Sequence, residues 1–264
     1  MEKIRFIPKN NAVHDIYAKI GVPFPAGLTS GNTQSAEYLY VENITDYKGV
    51  MGILKIGGNN PDISYSFDKE TWTSYSSPVD VEPHVKIYLK GVNENGFSTN
   101  YDKYTHINVN FNANTGGDIT SLLFGNDFKD ESEVELPTFC FWGLFGETKI
   151  VSASELDFSR ITFVDDSCFG KMFAGNDLFV NPPRLDKMVC TTYSNRIPFS
   201  QMFRNCQNLA TVYYPTIPFN NVICQNWLDG VAANGVLYAD SSVIDGIWTN
   251  SANGCPSGWT KQTI

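Results

Sequence analysis

The central part of this chain repeats one pattern three times between positions 139 and 217. The three segments are CFWGLF at 140–145, CFGKMF at 168–173 and PFSQMF at 198–203. Phe145 and Phe173 are 28 positions apart, and Phe173 and Phe203 are 30 positions apart. A period of roughly thirty residues is typical of a protein built from stacked repeats.

Each repeat has the same internal order. An aromatic residue precedes the Leu/Met–Phe pair by three or four positions, and this spacing predicts a short helix with one apolar face. A polar turn and a short extended run follow. One unit has too few apolar residues to close a core, so neighbouring units must stack to bury these faces. The predicted repeat core comprises Phe145, Ile150, Met172, Phe173, Phe179, Met202, Phe203 and Leu209. Three unrelated amphipathic helices, the alternative, would not share a fixed order of Phe, turn, Leu and Pro.

The third repeat also carries a recognisable motif. Its segment MFRNCQNL at 202–209 resembles the BspA-type leucine-rich repeats of gut Bacteroidota and their phages. The second repeat, MFAGNDLF at 172–179, has Asn176 where that pattern prefers Cys, and the first is one residue short and lacks the Cys. The resemblance extends upstream to 119–128. It implies an adhesive or structural surface module that is not a catalyst.

The chain after the repeats is similar to the closing cap of such an array. A solenoid needs an atypical last unit that covers its final apolar face. Residues 224–233 are predicted to form a short helix, and the large side chains available for the cap are Trp227 and Trp259.

The region before the repeats has the pattern of a β domain. Apolar and polar residues alternate through short runs bounded by turn residues, as in half-buried strands. The predicted strands lie at 38–44, 51–56, 63–67, 71–75, 85–89 and 106–111. Short strands at these spacings suggest a small immunoglobulin-like sandwich. The hairpin at 65–72 is similar to one that precedes such repeat arrays, although Glu70 replaces the usual glycine, and 116–118 is predicted to be a hinge.

These patterns together predict a fold class. The protein is expected to be mainly β with short helices, and its 42% apolar, 14% aromatic composition agrees with that. The expected order is an N-terminal arm and linker (1–35), a small immunoglobulin-like β-sandwich (36–116), a short leucine-rich-repeat solenoid (117–222) and a C-terminal cap (223–264).

The N-terminal arm contains a candidate anchor. Val13, Ile16, Tyr17 and Ile20 form the apolar stripe of a two-turn helix, which the prolines at 23 and 25 end. So short a helix must bury its stripe against something else. Two interpretations stay open: the arm docks into a capsid or tail component, or it packs on its own β domain or on a symmetry mate.

The charge of the chain restricts its partners. There are 19 Lys and Arg residues against 28 Asp and Glu residues, a formal charge of −9. So acidic a chain argues against nucleic acid or an anionic membrane surface as the partner. No apolar run approaches the length of a membrane-spanning segment. The N-terminal sequence MEKIRFIP lacks the apolar core of a secretory signal, which favours synthesis in a host cytoplasm without export.

No pattern for a cofactor or metal stands out. The six cysteines form no CxxC pair and the chain has three histidines, so zinc-ligand spacing is missing. Buried structural thiols are expected, with disulfides as the alternative. Five acidic residues lie between 127 and 135. A solvated loop explains them better than a calcium site, because they lack the spacing of a known calcium loop.

No catalytic arrangement stands out either, and no enzymatic activity is expected. His84 and His106 lie on neighbouring predicted strands, but no nucleophile motif accompanies them. Paired carboxylates for glycoside cleavage have no sequence spacing of their own, so a polysaccharide depolymerase stays open. Tyr38, Tyr75, Trp142 and Trp248 are candidates for sugar stacking, with a core or cap role as the simpler interpretation.

The leading functional hypothesis is a phage virion protein. It would be a head or tail fibre, spike or decoration subunit that is anchored through its N-terminus to other virion proteins. It would present the repeats to host-surface polysaccharide or protein as a homo-dimer or homo-trimer. The location would be the virion surface. The alternative is a leucine-rich-repeat adhesin at the surface of a bacterial cell.

Overall fold

The computed structural model describes residues 37–190, 192, 193, 196–220 and 222–264. The fold is mainly β with few short helices, as predicted, and it contains several open sheets. The candidate anchor residues Val13, Ile16, Tyr17 and Ile20 lie outside the described residues.

The first half of the described chain is rich in antiparallel strands. In order it contains β1 (Leu39–Asn43), β2 (Gly49–Lys55), a 3-10 turn (Ile56–Gly58), β3 (Ser64–Ser66), β4 (Thr73–Ser74), β5 (Val79–Val81), β6 (Lys86–Lys90), β7 (Thr105–Val109), β8 (Ala113–Asp118) and the one-turn helix α1 (Ser121–Phe124).

The second half consists mostly of turns and short parallel strands. It contains a 3-10 turn (Asp127–Lys129), β9 (Val134–Leu136), β10 (Ile150–Asp157), β11 (Ile161–Val164), a 3-10 turn (Leu185–Lys187), β12 (Thr192–Tyr193), β13 (Thr211–Tyr213), β14 (Gly235–Ala239), a 3-10 turn (Ile244–Gly246) and β15 (Trp259–Thr263).

Within the described residues the strands form four sheets. One sheet has the order β10-β8-β1-β6-β3-β4, and another has the order β5-β2-β7. All pairs in these two sheets are antiparallel except β10 with β8, which is parallel. The two sheets of the repeat region, β12-β11-β9 and β13-β14-β15, are parallel. Successive repeats therefore place their strands side by side in the same direction.

Alternation along the strands explains why the first two sheets share a core. Leu39 and Val41 of β1 pair with Leu89 and Ile87 of β6, and all four side chains are fully buried. The residues between them point to the opposite face of the sheet. β2 and β7 contribute to the same core, which continues without a break to Trp259 near the C-terminus.

The short helices expected in the repeats are a wrong prediction, because those segments are chains of tight turns. In the first repeat the amides of Cys140, Trp142, Leu144 and Gly146 each donate to the carbonyl three residues earlier, at 3.0–3.3 Å. An α-helix would bond four residues back and use every amide. Here the alternate amides donate to the next repeat. The segment 224–233, also expected to be helical, begins with the same kind of turns.

A residue with positive φ recurs at every fourth position of these turns. In the first repeat these residues are Phe139 (φ 59°), Gly143 (65°) and Glu147 (50°). Ser167, Lys171 and Gly175 follow in the second repeat, Gln201 and Asn205 in the third, and Asn226 and Gly230 in the last. A non-glycine residue rarely adopts this conformation, which costs roughly 1 kcal/mol or more each time. Packing between repeats must therefore offset that strain.

The predicted hinge at 116–118 lies within β8, next to β1. A Cβ atom on Gly116 would overlap the phenol of Tyr40 on β1 and crowd the side chain of Glu155 on β10. Gly116 is thus required for close approach of three strands, and β8 joins β1 to β10, the strand that follows the first repeat segment.

Candidate functional site

The repeats are joined by a ladder of backbone hydrogen bonds. In each repeat, amides at alternate positions donate to carbonyl oxygens of the next repeat. Two phenylalanines in each repeat take part, and each donates its backbone N–H to a backbone carbonyl oxygen. The bonds run from Phe141 to Cys168 (2.7 Å), Phe145 to Met172 (2.8 Å), Phe169 to Pro198 (2.9 Å), Phe173 to Met202 (2.9 Å), Phe199 to Ile223 (3.0 Å) and Phe203 to Trp227 (3.0 Å). The ladder satisfies amides that the turns leave free, and it fixes the spacing between units.

Two columns of aromatic rings run through this ladder. The rings of Phe145, Phe173 and Phe203 stack with centroids 5.8 Å apart at both steps, and Trp227 ends the column at 6.1 Å from Phe203. The second column is Phe141, Phe169 and Phe199, with steps of 6.0 and 5.7 Å. Offset aromatic pairs at such distances add about 0.5–1.5 kcal/mol each to the burial term.

The predicted repeat-core residues all lie in this interior. Met172, Phe173, Phe179, Met202, Phe203 and Leu209 are fully buried, and so are Phe145 and Ile150. Phe179 sits against both Phe173 and Phe203, with centroid distances of 4.8 and 6.0 Å. The ladder and these side chains together make the stack one packed body.

Asn176 and Cys206 occupy equivalent places in successive repeats. The thiol of Cys206 donates to the carbonyl oxygen of Phe173 at 3.1 Å. The amide of Asn176 donates to the carbonyl oxygens of Phe145 (2.6 Å) and Phe173 (2.8 Å), and it accepts from the backbone N–H of Ile150 (3.2 Å). Asn176 is fully buried, so this complete set of partners is what makes a polar side chain stable there.

The N-terminal end of the ladder is covered by the antiparallel part of the chain. Ser98 and Ile107 donate their backbone N–H groups to the carbonyl oxygens of Cys140 and Leu144, both at 2.8 Å. The ring nitrogen Nδ1 of His106 lies 3.0 Å from the carbonyl oxygen of Gly143. The sequence pattern gave no sign of these contacts, because they join segments more than thirty residues apart.

The C-terminal end of the ladder is covered by the segment 252–254. The backbone N–H of Leu228 donates to the carbonyl oxygen of Ala252 at 3.1 Å. The indole N–H of Trp227 donates to the carbonyl oxygen of Gly254 at 3.1 Å, and that of Trp259 donates to Ala232 at 2.7 Å. The two tryptophans named from the sequence are buried at this end of the stack.

A polar groove opens on the antiparallel part of the molecule. It has a volume of about 400 Å³ and lies between the loops 58–61 and 92–99, with Lys103 beside them. Its lining is rich in amides, namely Asn59, Asn60, Asn93 and Asn95. Val92 borders the groove with 61% of its surface exposed. This cavity falls in the size range of small-molecule sites, which begins at roughly 300 Å³.

A second surface feature lies on the outer face of the sheet that contains β1 and β6. There the rings of Tyr38, Tyr40, Tyr88 and Phe128 form a cluster separate from the main core, and Trp72 packs against it. Lysine ammonium groups lie over these rings: Lys86 over Tyr40 (3.7 Å), Lys90 over Trp72 (4.0 Å), Lys69 over Tyr88 (4.9 Å) and Lys129 over Tyr38 (5.1 Å). Such cation–π contacts are worth about 0.5–2 kcal/mol. The lysines therefore cover an aromatic layer.

All six cysteines lie among the described residues, and all six are buried. Burial raises the pKa of Cys140 and of Cys206 to about 12. Burial also raises the pKa of Cys168 and of Cys224. These thiols are protonated at neutral pH, and a protonated thiol is a poor nucleophile and metal ligand. Their role here is packing.

The other candidate residues are scattered. His84 is exposed in the turn before β6, 3.0 Å from Asp46, whereas His106 is buried on β7. Burial lowers the pKa of His106. Within the described residues, no group of three or more His, Cys, Asp or Glu side chains is placed to hold a metal ion.

The aromatic side chains named as sugar-stacking candidates divide into two groups. Tyr38 and Trp142 are more than 90% buried, and the hydroxyl of Tyr75 accepts from the backbone N–H of Ile53 at 2.8 Å. Trp248, in contrast, is 52% exposed and contacts Phe219 with ring centroids 6.1 Å apart. Of these residues, Trp248 alone presents a large part of its surface to solvent.

Comparison with known proteins adds no relative to this description. No family model matches the chain, no curated protein matches it, and no solved structure matches it. In the part of the chain that the structure describes, no helix combines the length and the apolar character needed to span a membrane.

Proposed function

We propose that this protein is a non-catalytic structural subunit of the virion of a phage that infects gut Bacteroidota. It acts as a head or tail fibre, spike or decoration protein and attaches to host-surface polysaccharide. In this proposal an immunoglobulin-like sandwich carries a short leucine-rich-repeat solenoid with a C-terminal cap. The observation that carries the proposal is the hydrogen-bonded ladder, closed at both ends, that makes the repeats rigid.

A rigid stack of repeats is suited to presenting binding loops to a host surface. The same buried core extends from Leu39 on β1 to Trp259 on β15, so the loops at its surface are held at fixed relative positions. Fixed loops on a particle with many copies gain avidity, because each further contact becomes intramolecular. Weak binding by one copy is sufficient under these conditions.

The resemblance of 202–209 to BspA-type repeats supports two parts of the proposal: a phage of gut Bacteroidota as the source, and the host surface as the partner. Those repeats occur in surface proteins of gut Bacteroidota and in their phages. In a virion, residues 1–35 would contact a capsid or tail protein, and a symmetric dimer or trimer would be the usual form of such a subunit.

Immunogold electron microscopy tests the location. Antibodies raised against the purified protein are applied to phage particles and to cells from a culture that encodes the chain. Labelling of the particles is the expected result. Labelling of uninfected cells instead would replace the proposal with the alternative, a leucine-rich-repeat adhesin at the bacterial surface, which the same rigid stack would serve.

Two further measurements complete the test. Light scattering on the full chain gives the solution mass, and a dimer or trimer is expected. Incubation with purified capsule of the host, followed by a reducing-sugar assay, is expected to show no release. Release of reducing ends would identify a polysaccharide depolymerase and contradict the non-catalytic assignment.

A further inference from the structure

We infer that the polar groove between the loops 58–61 and 92–99 binds a neutral glycan. This inference deepens the proposed function and rests on it for the source of the glycan, the host surface. The argument for the ligand class comes from the groove itself.

The first argument is the chemistry of the lining. Asn60 and Asn95 are exposed at the groove, and Thr99 and Lys103 are exposed beside them. An amide offers a donor and an acceptor side by side, which matches sugar hydroxyl groups that also donate and accept. The Oδ1 atom of Asn60 accepts from Lys55 Nζ at 2.6 Å. Within the described residues, the Asn60 amide nitrogen and both polar side-chain atoms of Asn95 have no hydrogen-bond partner.

The second argument is that buried amides hold the loops in place. Asn59 donates to the carbonyl oxygen of Phe97 (3.0 Å) and to Thr105 Oγ1 (2.6 Å), which fixes the loop 58–61. Asn93 donates to the carbonyl oxygens of Asp62 (2.8 Å) and Leu122 (2.7 Å). Of the four lining asparagines, two are therefore structural and two face solvent. A groove held rigid before binding loses less conformational entropy when a ligand enters.

The third argument is the balance of charge and apolar surface. Glu94 and Lys103 are the ionisable residues of the lining, so their charges cancel. A phosphate or sulfate ligand would need a cluster of cations or backbone N–H groups instead. The exposed side chain of Val92 and the ring of Pro61 offer limited apolar contact. This suits the C–H face of one sugar ring better than a peptide anchor, which needs a deep apolar pocket.

The test is an NMR titration of the isotope-labelled full chain. The probes are glucose, galactose, mannose and N-acetylglucosamine, each taken to high millimolar concentration. At least one sugar is expected to shift backbone amide signals at 58–62 and 92–103, with a Kd of about 1–10 mM, in the range of weak single-site binding. The double variant Asn60→Ala/Asn95→Ala should weaken that binding at least about tenfold. The matched control Asn234→Ala, an exposed asparagine before β14, should leave it unchanged.

Each remaining outcome overturns the inference. Shifts centred on Trp248, or no shifts at the groove with any of the sugars, would remove the site. Equal binding by the double variant and the control would do the same. Failure of the groove is separable from failure of the proposed function. If the antibody labels phage particles but the groove binds no sugar, the virion assignment is kept and the glycan site is rejected. If the groove binds sugar but the antibody labels no particles, the glycan site is kept and the virion assignment is rejected.

Discussion

The side-chain amide of Asn176 donates to the carbonyl oxygen of Phe145, 31 residues earlier in the chain, across 2.6 Å. Cys206 makes the corresponding contact to Phe173 with its thiol. A small buried donor at this position thus links each repeat to the one before it. Asn serves as well as Cys because the backbone N–H of Ile150 and the carbonyl oxygen of Phe173 complete its hydrogen bonds.

Replacement of Asn176 by Ala should be among the more damaging single changes in the stack. It leaves the carbonyl oxygen of Phe145 and the N–H of Ile150 buried without these partners, and each unsatisfied group costs about 1–3 kcal/mol. We expect a loss of about 2–4 kcal/mol in the free energy of unfolding, measured by urea denaturation. Asn176→Cys should lose less, because the thiol can reproduce the contact of Cys206. Equal losses for the two variants would contradict this role.

Gly170 should tolerate no side chain. A Cβ atom there would overlap the six-membered ring of Trp142 in the preceding repeat. Gly170→Ala forces that ring to move, and overpacking of this kind costs about 1–3 kcal/mol. Gly52 on β2 is a matched control, because a Cβ atom there meets nothing within 4 Å. Gly52→Ala should change the free energy of unfolding by less than about 0.5 kcal/mol.

A double-mutant cycle isolates the contact between the ring and the glycine. In a Trp142→Ala background the ring is gone, so Gly170→Ala should cost clearly less than it does in the natural sequence. An unchanged cost would place the effect in the backbone of Gly170 and remove the steric explanation.

The buried thiols should make the protein sensitive to alkali. The ordinary thiol pKa is 9.0, and burial raises that of Cys140 to about 12 in the folded protein. Above pH 9 the unfolded chain therefore releases protons that the folded chain retains. The stabilisation is complete below the unfolded pKa and is lost as the pH rises through the folded pKa, by up to about 1.4 kcal/mol per pH unit for each such thiol.

Urea denaturation at a series of pH values above neutrality measures this slope. Cys140→Ala removes one titrating group, so its stability should fall less steeply with pH than that of the natural sequence. Ellman's reagent gives an independent reading. The native protein should react very slowly near neutral pH, and all six thiols should react in guanidinium chloride. Rapid reaction of Cys140 in the native state would contradict its burial.

The strands of the antiparallel part were predictable because their side chains alternate. Each of the six predicted strands overlaps a strand of the structure, from β1 to β7. β5 and β8 were missed, and β8 was missed because its sequence, ANTGGD, resembles a turn. β8 contains Gly116 since Tyr40 and Glu155 occupy the space of a side chain, and no local pattern reveals a neighbour from another strand.

The repeat period was predictable, but the backbone conformation inside each repeat was not. The left-handed residues recur every four positions, for example at Phe139, Gly143 and Glu147. A period of four keeps Phe141 and Phe145 on the same side, as a helix of 3.6 residues per turn also does. Apolar spacing alone cannot separate the two. The polar groove was not predictable either, because its walls come from loops more than thirty residues apart.

The ion pair between Asp118 and Arg160 gives the last prediction. Asp118 ends β8 with its carboxylate 2% exposed, and Arg160 Nε lies 2.7 Å from it. The same guanidinium donates to the carbonyl oxygen of Glu131. Removal of one partner from a buried pair costs about 3–5 kcal/mol. We expect Arg160→Met, which keeps the apolar stem, to lose about 3 kcal/mol, because among the described residues the Asp118 carboxylate then keeps only the hydrogen bonds from Thr120.

The pH dependence of that loss identifies the cause. Burial already raises the pKa of Asp118 above its ordinary value of 3.8, and loss of Arg160 should raise it further. A raised carboxyl pKa means that the folded state binds a proton more tightly than the unfolded chain. The penalty therefore shrinks as the pH falls through the folded pKa. Urea denaturation from about pH 7 to about pH 4 should narrow the gap between Arg160→Met and the natural sequence. The double variant Asp118→Asn/Arg160→Met carries no titrating group at position 118, so its own stability should lack the pH dependence that this carboxyl contributes. A constant gap for the single variant would place its loss in packing around the Arg160 stem and not in the charge of Asp118.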